Sequence, residues 1–128
     1  MEDKIFLLSI NEYKRYKDRI PHINCWWWLR SPGHDSSTAA DVRFEGESCK
    51  YGSMVHCDYG AVRPALVIPN GYEIGTRILA YDFPWIVIDD ELAIAEVPIM
   101  FQRFDRVSND YKNSEIRKVL LKWLTKRN

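Results

Sequence analysis

Three consecutive tryptophans, Trp26-Trp27-Trp28, begin a run that continues through Leu29-Arg30 and closes on Ser31-Pro32-Gly33. Large rings ahead of a Pro-Gly turn signal read as a strand. Side chains alternate across a strand, so Trp26 and Trp28 share one face and Trp27 takes the other. A triplet of this kind demands a packed sheet. It places Trp26 and Trp28 inward as structural residues and leaves Trp27 as a ring available to a ligand.

Other apolar runs surround that strand. Ile5-Phe6-Leu7-Leu8 fits a short buried strand, and Ser9-Ile10-Asn11-Glu12 follows with the spacing of a capping box. Leu8 and Tyr13 stand where a hydrophobic staple would join, and the helix should stop before Pro21. Ala40–Phe44 reads as a strand and Glu45-Gly46-Glu47 as a hairpin tip, while residues 48–60 are polar and aromatic, with the character of short strands and exposed loops. Ala65–Ile68 is a strand stopped by Pro69-Asn70-Gly71. Trp85–Ile88 and Leu92–Ala95 flank Asp89-Asp90-Glu91 as a hairpin. From about Ser114 to Lys126 the 3.6-residue period gathers Ile116, Val119, Leu120, Trp123 and Leu124 on one helix face. Trp85 and Trp123 are structural on this reading.

A chain of 128 residues is long enough for one core and short for two. Its 18 basic and 18 acidic residues cancel, which removes the overall charge that nucleic acid or an anionic membrane would attract. The basic residues of the last helix read as its solvated face. Neither a basic-then-apolar leader nor a run of roughly 20 apolar residues is seen, so a cytoplasmic protein is expected. Cys25, Cys49 and Cys57 are odd in number and lack CxxC spacing, which points to free thiols. No cofactor or metal is expected from them or from His22, His34 and His56.

Trp26-Trp27-Trp28-Leu29-Arg30-Ser31-Pro32-Gly33, then Ala39-Ala40-Asp41-Val42 and Gly60-Ala61-Val62-Arg63-Pro64-Ala65-Leu66, resemble the signature of a bacterial and phage domain family of unknown function. The opening Ile5–Tyr13 stretch fits the same pattern, and the match covers roughly residues 4 to 68. That family resembles the C-type lectin fold and the fold of formylglycine-generating enzymes. The resemblance implies an α+β domain: a small twisted antiparallel sheet, two helices and a loop-rich segment. Phe83–Asp89, Arg103-Phe104-Asp105 and Tyr111–Leu120 resemble the first strands and helix of the same family, displaced to the end. Residues 1–68 thus correspond to the family's C-terminal half and 76–128 to its N-terminal half, in circularly permuted order, with 69–75 as linker. A permuted monomer and a swapped dimer both satisfy this order.

His34, Asp35, Ser36, Ser37, Tyr51, Met54, His56, Asp58 and Tyr59 have the Tyr- and Ser-rich mix that gives contact area at low entropic cost, and with Trp27 they form the expected binding surface. Arg30 and Arg63 read as structural, holding loops through backbone carbonyls. No nucleophile triad, phosphate loop or HExxH pattern is seen, so the expectation is a binding module and not an enzyme. The leading form is a protein-binding module. In the phage context of the resemblance, it is an accessory protein that inhibits a bacterial defence protein. The alternative is a receptor-like variable domain that binds a small ligand or glycan through its loops.

Overall fold

The computed structural model describes residues 3–127. It is α+β, with two helices and ten strands in two five-stranded sheets. The first sheet runs in the order β1 (Ile5–Phe6), β6 (Ala65–Val67), β9 (Leu92–Ala95), β8 (Phe83–Asp89) and β7 (Arg77–Ala80), antiparallel throughout. The second runs β10 (Met100–Phe101), β5 (Ala61–Val62), β2 (Trp27–Pro32), β3 (Thr38–Val42) and β4 (Ser48–Met54). Here β2 and β5 are parallel, so the sheet is mixed. A second sheet and a parallel pair both depart from the single antiparallel sheet expected. The parallel pair arises because β5 lies beside β2 at Trp27 and Ala61, and β4 runs seven residues along β3 where short strands and loops were expected.

Helix α1 (Ile10–Tyr16) starts as its sequence dictates. The Ser9 hydroxyl accepts from the Glu12 amide, and the Glu12 carboxylate accepts from the Ser9 amide. Leu8 and Tyr13 are buried in the same cluster, and one 3₁₀ turn, Lys17–Arg19, ends the helical stretch before Pro21. Helix α2 (Glu115–Lys126) is capped by Ser114, which accepts from the Arg117 amide, and it buries Ile116 and Leu120.

Two apolar clusters lie on opposite faces of the strands. Ile5 and Leu7 join Trp28, Val62, Trp85, Phe104 and the inner face of α2, while Phe6 and Leu8 join Trp27, Leu29, Ile94 and the Tyr13 and Tyr16 rings of α1. Because alternate residues enter different clusters, both faces of these strands are covered. Each side chain of this size contributes roughly 1.5–3 kcal/mol on burial.

The chain changes sheets at Arg63-Pro64, between β5 and β6. Arg63 is 1% exposed and donates to the Ala95 and Glu96 carbonyls at the end of β9, with its guanidinium 5.2 Å from the Trp27 ring. The corner is thereby tied to both the second half of the chain and the second cluster. Strand pairs β6–β9 and β5–β10, and the Asp3–Arg117 ion pair, join residues 3–68 to residues 76–127 within one chain. Gly75 bonds back to the Val87 carbonyl, so the segment between the halves is anchored at its end. Among the described residues, no helix is long and apolar enough to cross a membrane.

Candidate functional site

The site is built by an irregularity in the β3–β4 hairpin. Ala39 faces Ser53 and Asp41 faces Cys49, so β4 carries two more residues than β3 between these pairs. The surplus bulges at Tyr51-Gly52, where Gly52 adopts φ +79° and lies against the Ala39 carbonyl. The bulge re-aims Ser53 and Met54 toward the turn that follows, where the Cys57 amide bonds the Met54 carbonyl. On the other side, Gly60 lets the indoles of Trp26 and Trp28 settle on its backbone, where a methyl group would collide with both. Trp28 is buried and donates from Nε1 to the Gln102 carbonyl, and Trp26, half-buried, packs edge-on against it at 4.9 Å.

A groove of about 730 Å³ opens between these elements. Its apolar walls are Trp26, Phe44, Met54 and Tyr59, with Tyr59 69%, Phe44 53% and Met54 45% exposed. Trp26 and Tyr59 meet at 6.2 Å with an interplanar angle of 83°, forming a corner of two nearly perpendicular rings. His34, His56 and Asp58 stand on the polar side.

The charges around the groove are unevenly spent. Asp41, fully buried beneath it, accepts from the Ser53 hydroxyl at 2.7 Å and has Arg43 Nε 3.1 Å from its other oxygen, an ion pair without hydrogen-bond alignment. Burial pushes the Asp41 carboxyl up, against the Ser53 bond and the Arg43 charge. Arg43, its side chain 42% exposed on the groove wall, also donates to Cys49 Sγ. Burial opposes ionisation of the Cys49 thiol, but Arg43 and the Gly52 and Tyr51 amides outweigh it and lower its pKa. Cys25, Cys49 and Cys57 are free thiols.

The structure gathers five of the expected binding residues, His34, Met54, His56, Asp58 and Tyr59, into this groove. Asp35 stays outside it, because its carboxylate accepts from the Ser37 amide and hydroxyl and thereby shapes the 34–38 turn; these bonds hold its carboxyl below the usual range. Tyr51 rides the bulge on the far side, 62% exposed, beside His34 at 6.1 Å between ring centroids, and lines a separate cavity with Cys49 and Lys14. Trp27 requires a correction: it is 2% exposed and packed edge-on against Tyr13, so it is no part of the exposed groove and lines only a small cavity of about 140 Å³ with Tyr13 and Arg63. Trp26, expected as structural only, supplies the groove's wall in its place.

Alternation along the strand predicts which tryptophans share a face. It does not say that both faces are covered, and that is why the two rings were exchanged. Phe44 and Arg43 were not anticipated either; the available signal was an aromatic residue standing next to the Glu45-Gly46-Glu47 tip. Among the remaining structural residues, Arg30 donates to the Leu7 carbonyl and to Glu12. Trp85 donates to the Ala80 carbonyl, and Trp123 packs on Trp85 and Phe83.

A second cavity of equal volume lies between Ser9, Arg30, Lys112 and Arg117, but two of its cations are committed, Arg117 to Asp3 and Arg30 to Glu12. Among the described residues, no three His, Cys, Asp or Glu side chains converge to hold a metal ion.

The chain belongs to a family described as a domain of unknown function, DUF6273, whose model matches residues 1–70. That span carries β1 to β6, α1 and the groove residues from Trp26 to Tyr59. No curated protein and no solved structure matches the chain.

Proposed function

We propose that this protein is a non-enzymatic recognition module that engages a protein partner through the groove between the β3–β4 hairpin and the Tyr59 turn. The observation that carries this reading is the cluster of exposed Phe44, Met54 and Tyr59 beside Trp26, at the β4 edge of the second sheet. Exposed aromatic and Met side chains are what protein interfaces enrich, and a preformed surface loses little entropy on docking. In its concrete form the module is a cytoplasmic phage or mobile-element protein that inhibits a bacterial defence protein. Its two halves adopt a C-type lectin-like arrangement in permuted order, and a chain-swapped dimer is the other assembly compatible with that order. The neutral overall charge fits a partner other than nucleic acid.

The test is affinity capture from bacterial lysate by the wild type beside Phe44→Ala/Tyr59→Ala, with circular dichroism to show that the variant is folded. One protein retained by the wild type and lost from the folded variant supports the reading. Equal capture by both removes the groove from it.

The groove's volume also falls in the range of small-molecule sites, roughly 300–1,000 Å³. This favours, as a second reading, a small ligand or glycan stacked on Trp26 and Tyr59. A ligand panel scored by thermal shift distinguishes the two, because saturating ligand raises the melting temperature.

A further inference from the structure

The groove combines a corner of aromatic rings with a carboxylate that makes no hydrogen bond or ion pair among the described residues. Asp58 is exposed on the groove's rim and makes neither a hydrogen bond nor an ion pair among the described residues. The nearby cations are otherwise occupied. Arg103 acts on Asp58 only at longer range and places its guanidinium on both oxygens of Glu115. Arg43, which also lines the groove with its side chain 42% exposed, is paired with Asp41 and donates to Cys49 Sγ. The groove thus presents the Asp58 carboxylate on one side and, on the other, the Trp26 and Tyr59 rings set at 83° to each other.

A cation is the group that both features attract. The negative ring faces draw a guanidinium or ammonium electrostatically, Trp most strongly, and the carboxylate supplies a charged acceptor at the same opening. An anionic or purely aliphatic group satisfies only part of this arrangement: the first is repelled by Asp58, and the second leaves that carboxylate partly desolvated without a partner.

We propose that the groove receives a positively charged side chain, arginine or lysine, from the partner protein, with Trp26 and Tyr59 as its aromatic walls and Asp58 as its counter-charge. This rests on the recognition-module reading above and names the chemistry of its partner.

The experiment titrates the ¹⁵N-labelled full chain with capped peptides identical except at one central residue: arginine, lysine, citrulline, norleucine or glutamate. Binding is followed at the Trp26 indole N–H and the Asp58 and Tyr59 amides. The arginine and lysine peptides should bind about tenfold more tightly than the citrulline and norleucine peptides, in line with a desolvated cation–π contact. In Asp58→Asn that preference should collapse, with an unchanged circular dichroism spectrum and melting temperature. Equal affinity for the neutral peptides, tighter binding of the glutamate peptide, or a preference that survives in Asp58→Asn overturns the proposal. So does the absence of shifts at Trp26 with every peptide. Neutral peptides that shift Trp26 as strongly as cationic ones leave the groove's docking role intact while removing its charge preference. Failure of the recognition reading itself appears separately, as capture of no protein by the wild type, while equal capture by the wild type and the Phe44/Tyr59 variant removes only the groove from it.

Discussion

Replacing Arg63 with methionine tests whether a buried cation at the sheet-switching corner stabilises the fold. Arg63 is 1% exposed, and burial lowers its pKa from 12.5 to about 10. At about 1.4 kcal/mol per tenfold change, this net shift is on the order of 3 kcal/mol against the charged form. Against it stand the charged bonds to the Ala95 and Glu96 carbonyls, worth about 1.5–3 kcal/mol each, although the Glu96 contact is long at 3.3 Å. The contact with the Trp27 ring, 5.2 Å from the guanidinium carbon, adds about 1–2 kcal/mol when desolvated. Methionine retains most of the apolar packing but gives up these contacts. Arg63→Met should therefore lose about 1–4 kcal/mol of stability. Equilibrium urea unfolding at neutral pH, followed by tryptophan fluorescence, reads this as a lower midpoint at unchanged slope. A variant as stable as the wild type, or more so, would refute the reasoning, because charge burial would then outweigh the carbonyl bonds. Arg63→Lys should fall between the two, since an ammonium cannot reproduce the forked geometry.

Three further outcomes follow from the same structure. Ser9→Ala removes the acceptor for the Glu12 amide and should cost about 1 kcal/mol in urea unfolding, with Ser9→Gly milder; no change would mean that tertiary packing alone sets the start of α1. Gly52→Ala places a methyl group against the Ala39 carbonyl at φ +79° and should cost at least about 2 kcal/mol, read as a lower melting temperature; an unchanged value would show that the bulge can relax. Acid should also destabilise the fold. Arg117 holds Asp3 below its ordinary 3.8, and Arg103 holds Glu115 below its ordinary 4.5. Glu12 is also lowered, because Arg30 and the Ser9 amide outweigh its burial. Depressed folded values mean stability that is present above 4.5 and lost as pH falls through them. Asp41, raised by burial, works in the opposite sense and favours the fold as pH falls toward its ordinary 3.8. Asp35, Asp89 and Asp105 are lowered as well, so that six depressed carboxyls stand against one raised. The urea midpoint should drop between about pH 5 and about pH 3, and a flat or rising midpoint would contradict these assignments.

Local sequence determined much of this protein. The capping box at Ser9–Glu12, the stop before Pro21, the hairpin around Asp89-Asp90-Glu91 and the amphipathic face of α2 all depend on contacts within a few residues. Such contacts write their spacing directly into the chain. Strand alternation likewise placed Trp26 and Trp28 opposite Trp27. Elsewhere the local signal was missing. Strand β7 turns Leu79 to solvent at a sheet edge, and its turn uses Tyr81 and Asp82 at positive φ in place of the usual glycine, so neither pattern nor punctuation announced it. Strand β4 was legible only as short strands and loops, because its polar, bulged sequence conceals seven continuous residues.

The choice between Trp26 and Trp27 belonged to tertiary structure alone. A strand's period of two distinguishes its faces, but which face meets solvent depends on what distant segments lay against each. Here α1 and its Tyr13 cover Trp27, while Gly60 and the Tyr59 turn leave the edge of Trp26 open. The groove arises in the same way. Its walls come from β2's leading edge, the β3–β4 tip and the turn after β4, which meet beside the bulged part of the hairpin although the spacing of their residues carries no common period.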